Sequence, residues 1–216
     1  MKTDEPLDTA LACLNARGRV HLMGIGGVGV AGLARLLAAR GWTVTGCDTA
    51  PNRLTRALES TGIPVAPAHS PDHLRALPDW LIRSSAIAED HPEVLAARQK
   101  SVPVSRRGEA LAALVAQSRG VAIAGTHGKT TTTTMLVQIL RAAGLDPSFA
   151  IGAEVETLGG VAHAGRADWL VVEADESDGT LALYQPAIAV VTNVDLDHLE
   201  HFRDLDEFRG VFHRFV

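Results

Sequence analysis

Residues 125–134, GTHGKTTTTT, carry the most specific chemistry in this chain of 216 residues. A hydrophobic run, Gly120 to Gly125, leads into them and a helical pattern leads out. Backbone amides in such a strand-to-helix turn can wrap phosphate oxygens. Lys129 can then reach β- and γ-oxygens, and the Thr130 hydroxyl can ligate magnesium. Gly125, Thr126, His127, Gly128, Lys129, Thr130 and Thr131 are therefore the candidate triphosphate-binding residues. The usual G-x-x-x-x-G-K-[ST] spacing asks for glycine at position 123, where this chain has Ile123, so the turn is expected to be tighter, with Gly125 as its first glycine. For His127, phosphate contact and shaping of the loop backbone are both open.

A magnesium ion needs hard oxygens beyond the phosphates, and two acidic clusters offer them. Glu173, Asp175, Glu176 and Asp178 follow one apolar run; Asn193, Asp195, Asp197 and His198 follow another. In a parallel sheet both clusters fall on the edge that carries the phosphate loop. Glu173 stands out because it directly ends LVV, whereas solvated loop acids explain most of the others. Asp195, Asp197, Glu200 and His201 read first as surface or capping groups, since acids favour helix N-termini. His198 would be an unusual ligand for so hard a cation.

A second glycine loop lies earlier. Gly24, Gly26 and Gly29, with Gly27 between them, form G-x-G-x-x-G between a strand and a helix, and Asp48 ends the next strand. Glycines there allow a tight turn and close approach of amides to a diphosphate, while the carboxylate can accept ribose hydroxyls. On the motif alone NAD leads, a nucleotide-diphosphate sugar fits equally well, and glycines serving only strand–helix packing are the plain alternative.

These residues need a scaffold that places strand tips side by side. Short apolar runs alternate with helical patterns twice along the chain, which predicts βαβ units and mainly parallel sheets. A Rossmann-like domain is expected over residues 1–107 and an incomplete P-loop-type ATPase domain over 108–216. Arg106 to Ser118 reads as the linking helix. The ending FRGVFHRFV is strongly apolar and reads as text from a fold that continues.

Composition sets the outer limits. With 46% hydrophobic and 21% charged residues the chain can build ordinary α/β cores. A net charge of −5 argues against a nucleic-acid partner. No stretch approaches the roughly 18 apolar residues of a membrane span, and the first residues do not resemble a signal peptide. Cys13 and Cys47 are too few for a disulfide framework and show no metal-ligand spacing, so a reducing, cytoplasmic setting is expected.

With both loops and both acidic clusters in view, the chain resembles the Mur ligases of peptidoglycan synthesis. The likeness rests on HLMGIGGVGVAGLA (21–34), GCD (46–48), SSAI (84–87), AIAGTHGKTTTT (122–133), EADESDG (173–179) and AVVTNVDLDHLEHF (189–202). The EADESDG string points to the branch that adds L-alanine to UDP-N-acetylmuramic acid rather than to the branch that recycles murein tripeptide. The resemblance implies that the first loop holds a UDP-sugar diphosphate instead of NAD, with Asp48, His69, Ser84 and Ser85 near that substrate. It implies ATP at Gly125 to Thr131, one Mg2+ near Thr130 and Glu173, a second near His198, and catalytic roles for Lys129, Glu173 and His198. Thr180 and Leu181 stand where the family more often has serine and phenylalanine, and family members run well beyond this length.

Overall fold

The computed structural model describes residues 5–176, 179–195 and 205–216. A leading helix α1 (Glu5–Ala16) is followed by β1 (Arg19–Met23), α2 (Val28–Ala39), β2 (Thr43–Cys47), α3 (Arg53–Glu59), β3 (Val65–Ala66), β4 (Trp80–Arg83), α4 (Pro92–Gln99) and β5 (Val104–Arg106). These strands form one parallel sheet in the order β3-β2-β1-β4-β5. The winding reverses direction between β1 and β4, so their C-terminal ends open a crevice of the kind in which α/β sheets bind ligands. The glycine loop starts at the tip of β1, and Ser84 follows β4.

The second half opens with α5 (Arg107–Ala116), β6 (Arg119–Ala124) and α6 (Lys129–Ala142). It continues through β7 (Ser148–Val155), β8 (Gly160–His163), β9 (Trp169–Glu173), β10 (Ile188–Val191) and α7 (Leu205–Phe215). Its sheet runs β10-β6-β9-β7-β8, parallel except for the antiparallel β7–β8 edge. That hairpin has no counterpart in the sequence reading, which assigned no element between Gly144 and Ala167. Its text, with Gly152 inside β7 and Gly159-Gly160 at the turn, lacks the unbroken apolar run that betrays a buried parallel strand.

Two helices join the halves. In α2, Leu33, Leu36 and Leu37 are fully buried, each stabilising the fold by about 1.5–3 kcal/mol relative to an exposed position. Both faces of α2 are covered, because it packs on its own sheet and on β7 and β8. Gly32 makes this possible: a side-chain carbon there would stand 3.3 Å from the Ala162 methyl. Helix α5 is buried along Gly108–Val115 and carries the chain from β5 into β6.

Helix α6 forms despite five consecutive threonines, Thr130–Thr134, each about 0.5–0.7 kcal/mol worse than alanine in a helix. The Thr133 and Thr134 hydroxyls donate to the Lys129 and Thr130 carbonyls at 2.8 and 2.7 Å, which satisfies them within the helix. Among the described residues no helix is long and apolar enough to cross a membrane.

Candidate active site

The phosphate loop leaves an interior strand of the second sheet, so strand tips flank it on both sides. Strand β6 lies between β9 and β10, and Ala124, Glu173 and Val191 end three neighbouring strands. Ile123, the departure from the common loop spacing, is a fully buried residue of β6. The turn begins at Gly125, whose φ of +128° favours glycine. Any side chain there would run into the Thr192 hydroxyl and stand 2.8 Å from the Asn193 carbonyl oxygen. Gly128, at φ +83°, then starts α6.

Lys129 Nζ lies inside the turn. It donates to the Gly125 carbonyl at 2.6 Å, the Thr126 carbonyl at 3.3 Å and Glu176 Oε1 at 2.8 Å. The Glu176 side chain is fully buried, so it is not the solvated loop acid that the sequence suggested. Burial pushes its carboxyl above the usual carboxylate range, and the opposing attraction of Lys129 only partly offsets this.

Glu173 faces α6. The Thr130 hydroxyl donates to its two oxygens at 3.0 and 3.2 Å, and the Gly152 amide donates to Oε2 at 2.9 Å. A side chain at Gly152 would meet Glu173 Oε1 at 2.8 Å, so glycine in β7 leaves room for this carboxylate. Thr130 and Glu173 thus offer hard oxygens side by side, a donor set that suits magnesium. Asp175 accepts from Arg107 Nη2 at 3.1 Å.

Thr126, His127 and Asn193 lock the loop. Asn193 Oδ1 accepts from the His127 amide and its Nδ2 donates to the His127 carbonyl, both at 3.0 Å. The Thr192 hydroxyl donates to that carbonyl at 2.7 Å, and the Thr126 hydroxyl exchanges hydrogen bonds with the Asp195 backbone at 2.9 and 3.0 Å. His127 is exposed, and its backbone is what the surrounding side chains grip. Thr131 is also exposed. Asp178, Asp197, His198, Glu200 and His201 lie outside the described residues.

At the first loop, Gly24 at φ +74° packs against Ser84, where an added carbon would sit 2.9 Å from the serine Cβ. Asp48 Oδ2 accepts from the Gly26 amide at 2.8 Å, and Asn52 Nδ2 donates to the Gly26 carbonyl at 3.0 Å. Asn52 also caps α3. Gly27, Gly29, Ser84 and Ser85 line a cleft of about 350 Å³ together with Lys129, Glu173 and Arg107. Gly24, Gly26 and Asp48 lie outside that cleft wall, as does His69, whose Nδ1 lies 2.9 Å from Cys47 Sγ.

Two contributors escaped the sequence reading. Arg107 opens α5, lies against Gly29 at 3.1 Å from where its Cβ would be, and puts a cation between the two loops. Its position directly after a short strand was the available signal. Gly152 gave none, because nothing local marks a glycine that makes room for a distant carboxylate. A further grouping involves a cysteine. Cys47 Sγ lies with His21, His73 and Glu93, whose donor atoms fall within 4.8 Å of one another. Sequence spacing could not reveal this, since the four come from four separate elements.

Comparison with known proteins gives a consistent family. The model of the Mur ligase family catalytic domain matches residues 19–119, and that of the Mur ligase middle domain matches residues 123–216. The chain is 50% identical over 98% of its length to a UDP-N-acetylmuramate–L-alanine ligase of Kineococcus radiotolerans, covering 45% of that protein. It is 47% identical over 92% of its length to the ligase of the same name from Saccharopolyspora erythraea, covering 41% of it. The chain therefore spans less than half the length of these curated relatives. Among solved structures, it superimposes with a TM-score of 0.84 and 30% identity on a UDP-N-acetylmuramate-alanine ligase from Thermotoga maritima, covering 91% of this chain and 46% of that one. A UDP-N-acetylmuramate:L-alanyl-gamma-D-glutamyl-meso-diaminopimelate ligase from Neisseria meningitides gives the same TM-score and identity, covering 93% of this chain and 68% of that one.

Proposed function

This chain belongs to the Mur ligase family, and on that footing we propose that it serves the ATP-dependent joining of L-alanine to UDP-N-acetylmuramic acid in cytoplasmic peptidoglycan synthesis. Residues 1–107 are assigned to the UDP-sugar and residues 108–216 to ATP. One observation carries the reading: Gly27 and Gly29 of the first loop, Lys129 of the second and Glu173 at the tip of β9 line a single cleft. A sugar diphosphate on one loop would thus present its carboxylate to a triphosphate on the other.

In the reaction, the lactyl carboxylate takes the γ-phosphoryl group of ATP, releasing ADP, and the L-alanine amine then displaces phosphate to form the amide. Two anions must meet in the first step, so the demand on the protein is electrostatic and positional. Lys129 would turn its ammonium from the loop carbonyls to phosphate oxygens, with Glu176 holding the other side of that charge. Arg107, between the loops, suits the incoming carboxylate. Thr130 and Glu173 would hold Mg2+, which neutralises charge on the transferring group. The family motif implies a second Mg2+ near His198. Gly24, Gly26, Gly27, Gly29, Asp48, Ser84 and Ser85 are assigned to the UDP-sugar, with His69 beside them through Cys47.

The share of the relatives that this chain spans favours a second reading for residues 1–216 taken alone: both ligands are held without ligation. Calorimetry with UDP-N-acetylmuramic acid and with MgATP, followed by incubation with L-alanine and chromatography of the products, separates the two. The L-alanyl product with matching ADP supports ligation. Binding of both ligands without product supports the holding role. Binding of NAD at the first loop in place of the UDP-sugar sinks both.

A further inference from the structure

Beneath the first glycine loop, on the far side of Asp48, four donor atoms converge. His21 comes from β1 and Cys47 from the end of β2. His73 lies in a short 3-10 helix, Pro71–Ala76, and Glu93 in the first turn of α4. His21 and Cys47 are buried, Glu93 is fully so, and the His73 side chain is 20% exposed. We propose that His21, Cys47, His73 and Glu93 form a structural zinc site that ties both ends of this sheet edge together.

The spacing supports it. Zinc takes nitrogen at about 2.0–2.1 Å, sulfur at about 2.3 Å and carboxylate oxygen at about 2.0–2.2 Å. A tetrahedron of such bonds has edges of roughly 3.2–3.7 Å. Here His21 Nε2 lies 3.3 Å from Cys47 Sγ and 3.1 Å from Glu93 Oε1, while His73 Nδ1 lies 3.0 Å from the same oxygen. These three edges need to widen by only a few tenths of an ångström, while the widest separation, up to 4.8 Å, must close by about 1 Å.

The surroundings orient the donors. His21 Nδ1 lies 2.8 Å from the Thr45 hydroxyl, and that hydroxyl has an acceptor of its own in the Val20 carbonyl at 3.5 Å. A relay of Nδ1–H to Thr45 to Val20 leaves the Nε2 lone pair aimed into the cluster, the tautomer that a metal ligand needs. The second Glu93 oxygen accepts from the Ser70 amide at 2.8 Å, which turns the first toward both imidazoles. Sulfur and imidazole donors select zinc over magnesium or calcium. The charges also close: a thiolate, a carboxylate and two neutral imidazoles around a divalent cation sum to zero, which suits a buried place. Coordination sends the thiol proton to solvent.

The test uses the reduced 216-residue chain, stripped with a chelator, its fold checked by circular dichroism, and titrated with Co2+ and then Zn2+. A single equivalent of Co2+ should give intense four-coordinate d–d bands and a thiolate-to-cobalt charge-transfer band, both displaced by Zn2+ and untouched by excess Mg2+. Cys47→Ser should abolish the charge-transfer band, and Cys13→Ser should keep it. His73→Asn, at the more open edge and so gentler on folding, should weaken Zn2+ binding by more than about tenfold. A folded wild-type chain with no charge-transfer band, or a band that survives in Cys47→Ser, makes the cluster a hydrogen-bond network only and overturns the proposal.

Discussion

The two glycine loops are built alike and equipped differently. Each follows a central strand, opens a helix and has one residue gripped at both its amide and its carbonyl by side chains from beyond the loop. In the first loop that residue is Gly26, held by Asp48 and Asn52; in the second it is His127, held by Asn193 and Thr192. The amide of the gripped residue is thereby committed, and the first turn of the following helix is left to face phosphate. The equipment diverges from there. The second loop carries its own cation, Lys129, and a hard-oxygen pair in Thr130 and Glu173. The first has no charged side chain of its own, and the cation nearest to it in the cleft, Arg107, comes from α5. A loop of amides alone suits a diphosphate that only has to be held. A loop with a cation and a site for magnesium suits one whose terminal phosphoryl group must move.

Lys129→Ala should break that comparison most sharply. Removing a key electrostatic group is expected to slow phosphoryl transfer by about 10²–10³-fold, read as UDP-sugar-dependent ADP release, and to weaken MgATP in calorimetry. Affinity for UDP-N-acetylmuramic acid should stay where it was. A parallel fall in both affinities would mean that the loops do not divide the work. The converse variant is Gly26→Ala. Its new methyl would lie 2.8 Å from Asp48 Oδ2 and 2.9 Å from Asn52 Nδ2, so both side chains must give up their grip on the loop. Losing such hydrogen bonds costs about 1–2 kcal/mol, which predicts UDP-sugar affinity down by roughly tenfold with MgATP affinity unchanged.

How much of this was legible beforehand depended on distance along the chain. The loops, their strands and their helices are local patterns, and β1, α2, β6 and α6 appear close to where periodicity placed them. Glu173 was legible too, because it ends an apolar run. Glu176, three residues on, was not: the same acidic string reads as solvated until Lys129, 47 residues away, is seen to pair with it in a buried setting. Arg107 acts across the gap between the sheets, Gly152 acts on Glu173 from the neighbouring strand β7, and the Cys47 cluster draws on residues from 21 to 93. Sequence periodicity reports which side of an element is buried, not what comes from another element to meet it. The β7–β8 hairpin escaped for a related reason, since its edge position frees it from the continuous apolar text of the central strands.

The grip itself can be compared next. Asn193→Ala removes both the acceptor for the His127 amide and one donor to its carbonyl, leaving Thr192 on the carbonyl alone. The expected loss is about 1 kcal/mol, or roughly fivefold in MgATP affinity, with no change for the UDP-sugar. An unaltered MgATP affinity would show that the turn keeps its shape without the clamp, and that the likeness between the two loops is incidental.

The smallest effect separates the loops by pH. Only the second buries a carboxylate against its cation, and burial raises the Glu176 carboxyl above its ordinary value of 4.5. The folded chain then binds that proton more tightly than the unfolded chain does. Its contribution to stability is fully present below the unfolded value and is lost as pH rises through the folded one. Glu176→Gln cannot ionise and keeps an oxygen for Lys129. The variant should therefore gain on the wild type as pH climbs from about 4 toward neutrality, by a few degrees in melting temperature. A Glu176→Gln melting difference that stays flat over this range would mean that the ion pair with Lys129 offsets the burial of Glu176 completely, and the second loop would then carry no electrostatic strain that the first lacks.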